Sequence, residues 1–229
     1  MNSDEGRISV IKAVLFDMDG TIFDSEKIYR KAWLAVFQKL GIERYHEESM
    51  RVVTGRDHDE IGAYLRRLAG YDFDYEAIWR YKSDVIFKIV EQAGLELKPG
   101  VPEVFDRLHE MGILCALASS TNSERAEQFL TITGVKGYFD LILTGKCVAH
   151  SKPAPDVFLL AAEKLGVAPN ECLVAEDSEN GVLAGYAAGM KVVFVKDLMD
   201  LTPKAGACVW RAPATLESLP ELVRSFTNE

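Results

Sequence analysis

The sequence predicts an α/β protein in which a doubly wound parallel sheet carries an inserted, all-helical domain. Five short apolar segments have the composition of strands that are buried on both faces. Helical patterns alternate with these segments, as in right-handed β-α-β units. One long interval, from Asp24 to Lys98, contains helical periodicity and no convincing strand. We therefore expect a sheet domain of residues 1–24 and 97–229 and a helical domain of residues 25–96.

Turn residues bound each of the five predicted strands. The strands are Ile11–Phe16, Ile113–Ala118, Phe139–Leu143, Cys172–Ala175 and Val192–Val195. The predicted helices of the sheet domain, each followed by glycine, are Val101–Met111, Ser123–Thr133, Asp156–Leu165 and Asn180–Ala188. Those of the insertion are Glu26–Leu40, Asp57–Ala69 and Tyr75–Ala93, and Leu97–Gly100 returns the chain to the sheet. This order is that of a Rossmann-like domain interrupted once, after its first strand.

Length and composition describe an ordinary globular protein. The chain has 229 residues, of which 48% are hydrophobic and 27% charged, and it is long enough to bury a substantial core. A formal charge of -9 argues against a protein that coats nucleic acid or anionic membrane, because either role needs a basic face. No apolar run approaches the roughly 20 residues that span a bilayer, and no secretion signal is recognisable. We expect a cytoplasmic protein without nucleic-acid or membrane partners, a monomer or a weak homodimer.

The cysteine pattern gives no indication of a disulfide framework. No two cysteines have the spacing of zinc ligands or of a redox pair. The four are Cys115, Cys147, Cys172 and Cys208. We expect reduced thiols that lie in or near the core.

The most informative segment is Val14–Thr21, where an apolar strand stops at two carboxylates that are separated by one residue. These are Asp17 and Asp19. In an open α/β sheet, side chains at the carboxyl end of a strand line the crevice where ligands bind. Gly20 then allows the chain to turn sharply. An ordinary Asp-Gly turn explains the segment equally well on its own, so its meaning depends on the other strand ends.

Three further polar clusters are associated with predicted strand ends. They are Ser119-Ser120-Thr121-Asn122, Ser151-Lys152-Pro153-Ala154-Pro155 and Glu176-Asp177-Ser178-Glu179-Asn180-Gly181. The first has hydroxyls and free N–H groups that suit a phosphate, although a simple helix N-cap is an alternative. The second holds a lysine between stiffening prolines, as an exposed loop also could. The third, taken alone, would pass as an acidic turn.

The four clusters together are much more specific than any one of them, because all can converge on one crevice. The pattern Asp-x-Asp-Gly-Thr, a strand-end Ser, Lys-Pro-x-Pro and Glu-Asp-Ser-x-x-Gly resembles that of the haloacid dehalogenase-like superfamily, in its phosphatase and β-phosphoglucomutase-like branch. The resemblance covers nearly the whole chain, and the insertion after the first cluster is similar to the helical, C1-type cap of that branch. It implies a phosphoric monoester hydrolase that acts on a small phosphorylated metabolite, in particular a sugar phosphate.

The resemblance also implies catalytic roles. Asp17 would be the nucleophile that forms an aspartyl-phosphate, and Asp19 would be the general acid and base. Ser119 and Lys152 would hold the transferring phosphoryl oxygens and offset their charge. The candidate substrate-binding residues are Gly20, Ser120, Thr121, Asn122 and Arg56.

A metal ion is needed because carboxylates grouped around an anionic substrate repel both the substrate and each other. A hard ion with oxygen ligands, such as Mg²⁺, meets this need. By resemblance, one carboxylate oxygen of Asp17, the backbone carbonyl of Asp19 and the carboxylate of Asp177 would bind it. Glu176 would bind directly or through water.

Two positions in the insertion depart from the mutase pattern. Mutase members of the branch carry a His in the first cap helix and an Arg in a cap loop, whereas the nearest positions here are Tyr29 and His58. Arg56 could partly replace that Arg. A mutase must protect its aspartyl-phosphate from water while the sugar reorients, and a phosphatase need not. The sequence thus favours hydrolysis, with a phosphomutase as the alternative. A catalytically idle binding protein is a weaker alternative, because the catalytic residues are intact.

Overall fold

A computed structural model of the protein describes residues 10–43, 47–55, 58–145, 147–197, 200–213 and 215–226. The strands in these ranges are β1 Ala13–Phe16, β2 Leu114–Ala118, β3 Leu141–Leu143, β4 Cys172–Glu176 and β5 Lys191–Phe194. The helices are α1 Glu26–Lys39, α2 Glu47–Gly55, α3 His58–Ala69, α4 Tyr75–Ala93, α5 Val101–Glu110, α6 Ser123–Thr133, α7 Asp156–Leu165, α8 Glu179–Ala187, α9 Pro203–Gly206 and α10 Leu219–Phe226.

The five strands form one parallel sheet in the order β3-β2-β1-β4-β5. Strand β1 is central, and its residue Ala13 lies opposite Leu114 of β2 on one side and Cys172 of β4 on the other. The connections therefore run in opposite directions on the two sides of β1. Such a switch point opens a crevice at the carboxyl ends of the strands. The predicted doubly wound α/β fold is confirmed.

Both faces of the sheet are covered by helices. On one face, Leu15 of β1 belongs to a buried cluster with Phe158 of α7 and Val182 of α8. On the other face, the ring of Phe16 lies 4.7 Å from the ring of Phe105 in α5. All residues of β1 and β4 are buried. Burial on both faces explains why these strands are apolar in the sequence up to Glu176, the last residue of β4.

Several elements differ from the sequence-based expectation. Strand β3 is shorter than predicted because Val135–Tyr138 forms a 3₁₀ turn and Phe139 lies outside the strand. Helix α8 begins one residue earlier than predicted because Ser178 caps it, accepting a hydrogen bond from the N–H of Gly181. Helices α2, α9 and α10 were not predicted. They are only nine, four and eight residues long, and such short helices leave little periodicity.

The chain divides into two compact units, one of which is Ser25–Gly94. This unit contains α1 to α4, with α1 and α4 packed together. Its core includes Trp33, Val36, Phe37, Leu40, Ile42, Met50, Val53, Ile61, Leu65, Tyr75 and Ile78. The residue Lys82 is buried, and its ammonium nitrogen lies 4.0 Å from the centre of the Trp33 ring. The predicted first residue of α3, Asp57, lies outside the described residues.

The other unit contains the sheet, and the chain leaves and re-enters it at one place. The backbone N–H of Asp24 donates a 3.0 Å hydrogen bond to the carbonyl of Glu96, and the N–H of Lys98 donates a 2.8 Å bond to the carbonyl of Ile22. We call residues 95–98 the return segment. It is hydrogen-bonded to the turn that follows β1.

Cys115 and Cys172 are buried and Cys208 is partly buried, but Cys147 is exposed, and all four are free thiols. The expectation that every cysteine lies in or near the core is therefore wrong for Cys147, which belongs to the loop between β3 and α7. Burial raises the pKa of Cys172 to about 12 and also raises that of Cys115. Thiols of this kind are inert. Within the described ranges, no helix is both long and apolar enough to cross a membrane.

Candidate active site

The predicted clusters meet at the carboxyl end of the sheet. Asp17 follows β1, Ser119 follows β2 and Glu176 is the last residue of β4. Parallel pairing brings these three strand ends to the same edge. Lys152 reaches the edge from the loop before α7, where its Nζ lies 2.5 Å from Oδ1 of Asp17 and 2.8 Å from Oε1 of Glu176. Residues far apart in sequence thus form a single site.

Lys152, Asp17 and Glu176 form a buried ion cluster, here called the Lys152 cluster. Their side chains are 6%, 13% and 0% exposed. Burial raises the pKa of Asp17 to about 7, with Lys152 opposing this shift and Glu176 adding to it. Burial alone would lower the pKa of Lys152, but the attraction of the two carboxylates raises it above its usual value. Two carboxyl groups thus share one ammonium group. A proton or a divalent cation would neutralise the remaining negative charge.

Protein donors engage both oxygens of Glu176. Lys152 binds Oε1, while Oε2 accepts hydrogen bonds from the N–H of Asp177 at 2.9 Å, the N–H of Ser178 at 2.8 Å and Oγ of Ser178 at 2.9 Å. Helix α8 also presses against this carboxylate, since a Cβ atom at Gly181 would lie 1.6 Å from Oε1. These contacts favour a role for Glu176 in orienting its neighbours over direct binding of an ion.

Asp177 completes a group of three carboxylates. One oxygen from each of Asp17, Glu176 and Asp177 lies within 4.8 Å of the others. Thr21 Oγ1 donates a 3.2 Å hydrogen bond to Oδ1 of Asp177. Gly20 has φ +76°, and a Cβ atom there would lie 2.1 Å from Oδ2 of Asp177. Glycine is needed at this position both for the left-handed backbone and for the approach of Asp177.

Asp19 is held by a residue from the end of β2. Oγ1 of Thr121 donates a 2.6 Å hydrogen bond to Oδ2 of Asp19. The N–H of Thr121 in turn donates a 3.1 Å bond to Oγ of Ser119, which is buried. We predicted Thr121 as a substrate-binding residue, but the structure places its hydroxyl on Asp19, where it orients a carboxylate.

The other predicted substrate-binding residues differ in their placement. The side chain of Asn122 is the N-cap of α6 and accepts a 2.9 Å hydrogen bond from the N–H of Arg125. The N-cap alternative is therefore correct for Asn122, and its amide oxygen is occupied. Ser120 is exposed at the strand end beside it. Arg56 lies outside the described residues.

Sequence reasoning missed one pair at this edge of the sheet. Lys98 Nζ lies 2.5 Å from Oδ1 of Asp197, and the two side chains are 18% and 11% exposed. Oδ2 of Asp197 lies 3.2 Å from the position that a Cβ atom would take at Gly20. Asp197 also follows a predicted strand, and this signal could have identified it.

Known proteins resemble this chain in sequence and fold. The haloacid dehalogenase-like hydrolase family model matches residues 14–195. The chain is 36% identical over 183 residues to the fructose-1-phosphate phosphatase YqaB of Escherichia coli (strain K12), covering 80% of this chain and 95% of that protein. It is 34% identical over 187 residues to hexitol phosphatase B of the same organism, covering 81% and 83%. The crystal structure of CbbY from Rhodobacter sphaeroides in complex with phosphate has a TM-score of 0.75 at 26% identity, covering 92% and 96%. By its sequence match and its fold, the chain belongs to the haloacid dehalogenase-like hydrolases.

Proposed function

We propose that the protein is a Mg²⁺-dependent phosphatase that hydrolyses a small phosphorylated metabolite, in particular a sugar phosphate, through an aspartyl-phosphate on Asp17. The observation that carries the proposal is the contact of Asp17 with Lys152 in a buried site that also holds Asp177. A carboxylate nucleophile is thereby placed beside a fixed positive charge and beside oxygen ligands for a cation. The relatives named for fructose 1-phosphate and hexitol phosphates support this substrate class.

The donor set of the site fits Mg²⁺. Carboxylate oxygens are hard ligands, and Mg²⁺ binds through few protein groups and keeps several waters. Asp17, Asp177 and the backbone carbonyl of Asp19 would hold the ion, with Glu176 in support. When bound, Mg²⁺ supplies positive charge that stabilises ionised Asp17 and offsets the charge of the phosphate.

In the first step, a carboxylate oxygen of Asp17 attacks phosphorus in line. The new O–P bond forms as the bond from phosphorus to the leaving oxygen breaks, so the phosphoryl group passes to Asp17. Lys152 orients the Asp17 carboxylate and, with Ser119, offers donors to the phosphoryl oxygens. This positive environment stabilises charge that develops in the transition state.

Proton transfer is the role of Asp19. Its carboxyl group protonates the leaving oxygen in the first step and is left as a carboxylate. It then takes a proton from the water molecule that attacks the phosphorus of the aspartyl-phosphate. The bond between phosphorus and the Asp17 oxygen breaks as the bond to the water oxygen forms, so inorganic phosphate leaves and the Asp17 carboxylate is regenerated. Thr121 keeps the Asp19 carboxylate in one orientation through both steps.

Phosphate release from an artificial aryl phosphate tests the proposal. We expect activity in Mg²⁺ and none in excess chelator, and we expect Asp17→Asn to abolish it. A matched control is Asp200→Asn, because Asp200 is an exposed aspartate that pairs with Lys196. Full activity in chelator, or in the Asp17→Asn variant, would overturn the mechanism.

A screen of hexose, pentose, hexitol and nucleotide phosphates then tests the substrate class. We expect the highest kcat/KM for a sugar or hexitol phosphate. If the protein converted β-glucose 1-phosphate to glucose 6-phosphate faster than it released phosphate, the result would favour the mutase alternative over the phosphatase.

A further inference from the structure

We propose that Asp197 is a positioning residue of the magnesium site, whose carboxylate, held by Lys98, accepts a hydrogen bond from a water ligand of the ion. The inference rests on the proposed function and deepens it. It adds to the site a residue from beyond β5, outside the four clusters that define the sequence pattern.

The segment after β5 lies beside the end of β4. Phe194 of β5 pairs with Glu176 of β4, and the N–H of Val195 donates a 2.8 Å hydrogen bond to the carbonyl of Glu176. Asp197 follows two residues later. The backbone that carries Asp197 is therefore attached to the residue that directly precedes Asp177.

Asp197 and Asp177 approach the same point of the chain. Oδ2 of Asp177 lies 2.1 Å, and Oδ2 of Asp197 lies 3.2 Å, from the position of a Cβ atom at Gly20. The two carboxylate oxygens are thus neighbours across a residue that has no side chain. Since Asp177 is a proposed ligand of the ion, Asp197 lies beside a residue that would bind the ion.

The ion pair with Lys98 involves only one of the two oxygens of the Asp197 carboxylate. Lys98 binds Oδ1, whereas Oδ2 is buried and has no hydrogen-bond partner within the described part of the chain. A buried carboxylate oxygen without a donor is costly. An ionised Asp177 cannot donate to it, because a carboxylate only accepts. A water ligand of Mg²⁺ is a strong donor, and outer-shell acceptors of this kind orient the ligands of metal sites.

Lys98 gives the arrangement its charge balance. Its ammonium group offsets the charge of Asp197, so an acceptor is added beside Asp177 without a further net negative charge. Lys98 belongs to the return segment, which is hydrogen-bonded to the turn containing Gly20. The position of Asp197 is thus fixed from the same turn that carries Asp19.

Magnesium binding to the full-length protein, followed by isothermal titration calorimetry, tests the role of Asp197. We expect Asp197→Ala to weaken Mg²⁺ binding by about 10- to 100-fold, the usual effect of losing an outer-shell partner. Asp197→Asn retains one acceptor oxygen, and we expect a smaller loss. At saturating Mg²⁺, kcat of both variants should return towards that of the wild type.

Two controls separate this role from that of a purely structural ion pair. Lys98→Met breaks the same ion pair but leaves the acceptor, and we expect a smaller loss of Mg²⁺ affinity than in Asp197→Ala. Asp200→Asn removes an exposed aspartate nearby in the chain, and its affinity should equal that of the wild type. Melting temperatures in chelator verify that each variant folds. The rise in melting temperature caused by Mg²⁺ should shrink most in Asp197→Ala and should be unchanged in Asp200→Asn.

The outcomes are distinguishable. Equal affinities of the wild type, Asp197→Ala and Asp197→Asn would overturn the role of Asp197 alone, provided that Asp17→Asn abolishes binding. Equal losses in Lys98→Met and Asp197→Ala would also overturn it, because a structural pair predicts that result. A wild-type protein that binds no Mg²⁺ would reject the proposed metal site and this inference with it.

Discussion

Thr121 and Asp19, which lie 102 positions apart in the chain, are joined by a 2.6 Å hydrogen bond from the threonine hydroxyl to Oδ2 of the carboxylate. The N–H of Thr121 is itself bonded to the buried hydroxyl of Ser119. Thr121 therefore connects the end of β2 to the group proposed to transfer protons. Its side chain contributes to the orientation of the Asp19 carboxylate.

The first prediction concerns Thr121→Val, which removes this hydroxyl at nearly constant volume. We expect kcat for an aryl phosphate to fall by about 10- to 100-fold, because a misplaced catalytic group costs this much even when the substrate still binds. KM should change little. Thr121→Ser, which keeps the hydroxyl, is the matched control and should retain most of the activity. Unchanged kcat in Thr121→Val would show that Asp19 does not need this contact.

The second prediction is a pH dependence of metal binding. Burial raises the pKa of Asp17 to about 7 in the metal-free protein. Below this pH the carboxyl group is protonated, and the proton must leave before the group can bind Mg²⁺. We therefore expect the apparent dissociation constant to rise about tenfold for each pH unit below 7 and to level off above it.

Calorimetry in buffers of different ionisation enthalpy measures this proton directly. One proton should be released per Mg²⁺ at pH 6 and almost none at pH 8.5. An affinity that is equal at the two pH values would contradict the assignment of Asp17 as a ligand with a raised pKa.

The third prediction concerns Lys152→Met, which leaves Asp17 and Glu176 buried without their cation. Losing one partner of a buried ion pair typically costs about 3–5 kcal/mol. We expect a decrease of this size in the free energy of unfolding in chelator at pH 8, measured by urea denaturation. The decrease should be smaller at pH 5, because protonation of Asp17 removes one of the uncompensated charges.

Lys136→Met is the control for Lys152→Met. Lys136 pairs with Glu127 at 2.6 Å, but both side chains are more than half exposed. Its loss should cost less than about 1 kcal/mol, with little dependence on pH. Equal effects of the two substitutions would mean that the Lys152 cluster behaves like a surface pair.

The fourth prediction compares two glycines that have left-handed backbones. Gly20 has φ +76° and Gly112 has φ +72°, but only at Gly20 would a Cβ atom meet another residue, Asp177. Alanine at either position should cost about 1–2 kcal/mol of stability through backbone strain. Only Gly20→Ala should also weaken Mg²⁺ binding, because Asp177 must move. Mg²⁺ titrations of both variants distinguish strain from displacement of a ligand.

Much of the fold was predictable because the sheet is buried on both faces. Strand β1 and the first four residues of β4 are apolar and are followed by polar clusters, so the positions of both strands could be read from the residues alone. Helix α2 and the 3₁₀ turn Val135–Tyr138 could not, because short elements are determined by their packing and leave weak periodicity.

For the site, the order of clusters along the chain predicts which residues share an edge of the sheet, and the contact of Asp17 with Lys152 agrees with it. Individual hydrogen-bond partners could not be predicted from the sequence in this way. The bonds of Thr121 to Asp19 and of Lys98 to Asp197 depend on distances of a few ångström between segments distant in sequence. No periodicity or spacing encodes such distances, so neither pairing could be predicted, although the place of Asp197 after a predicted strand was visible in the sequence.

The hydrogen bond between Asp24 and Glu96 has a consequence for the modularity of the chain. This bond joins the two ends of the sheet unit where the helical unit is inserted. Any segment inserted between Asp24 and Glu96 therefore needs only to begin and end close together. The entropy of closing such a loop grows slowly with its length. We therefore expect the sheet that presents Asp17 to tolerate inserted segments of other lengths at this junction.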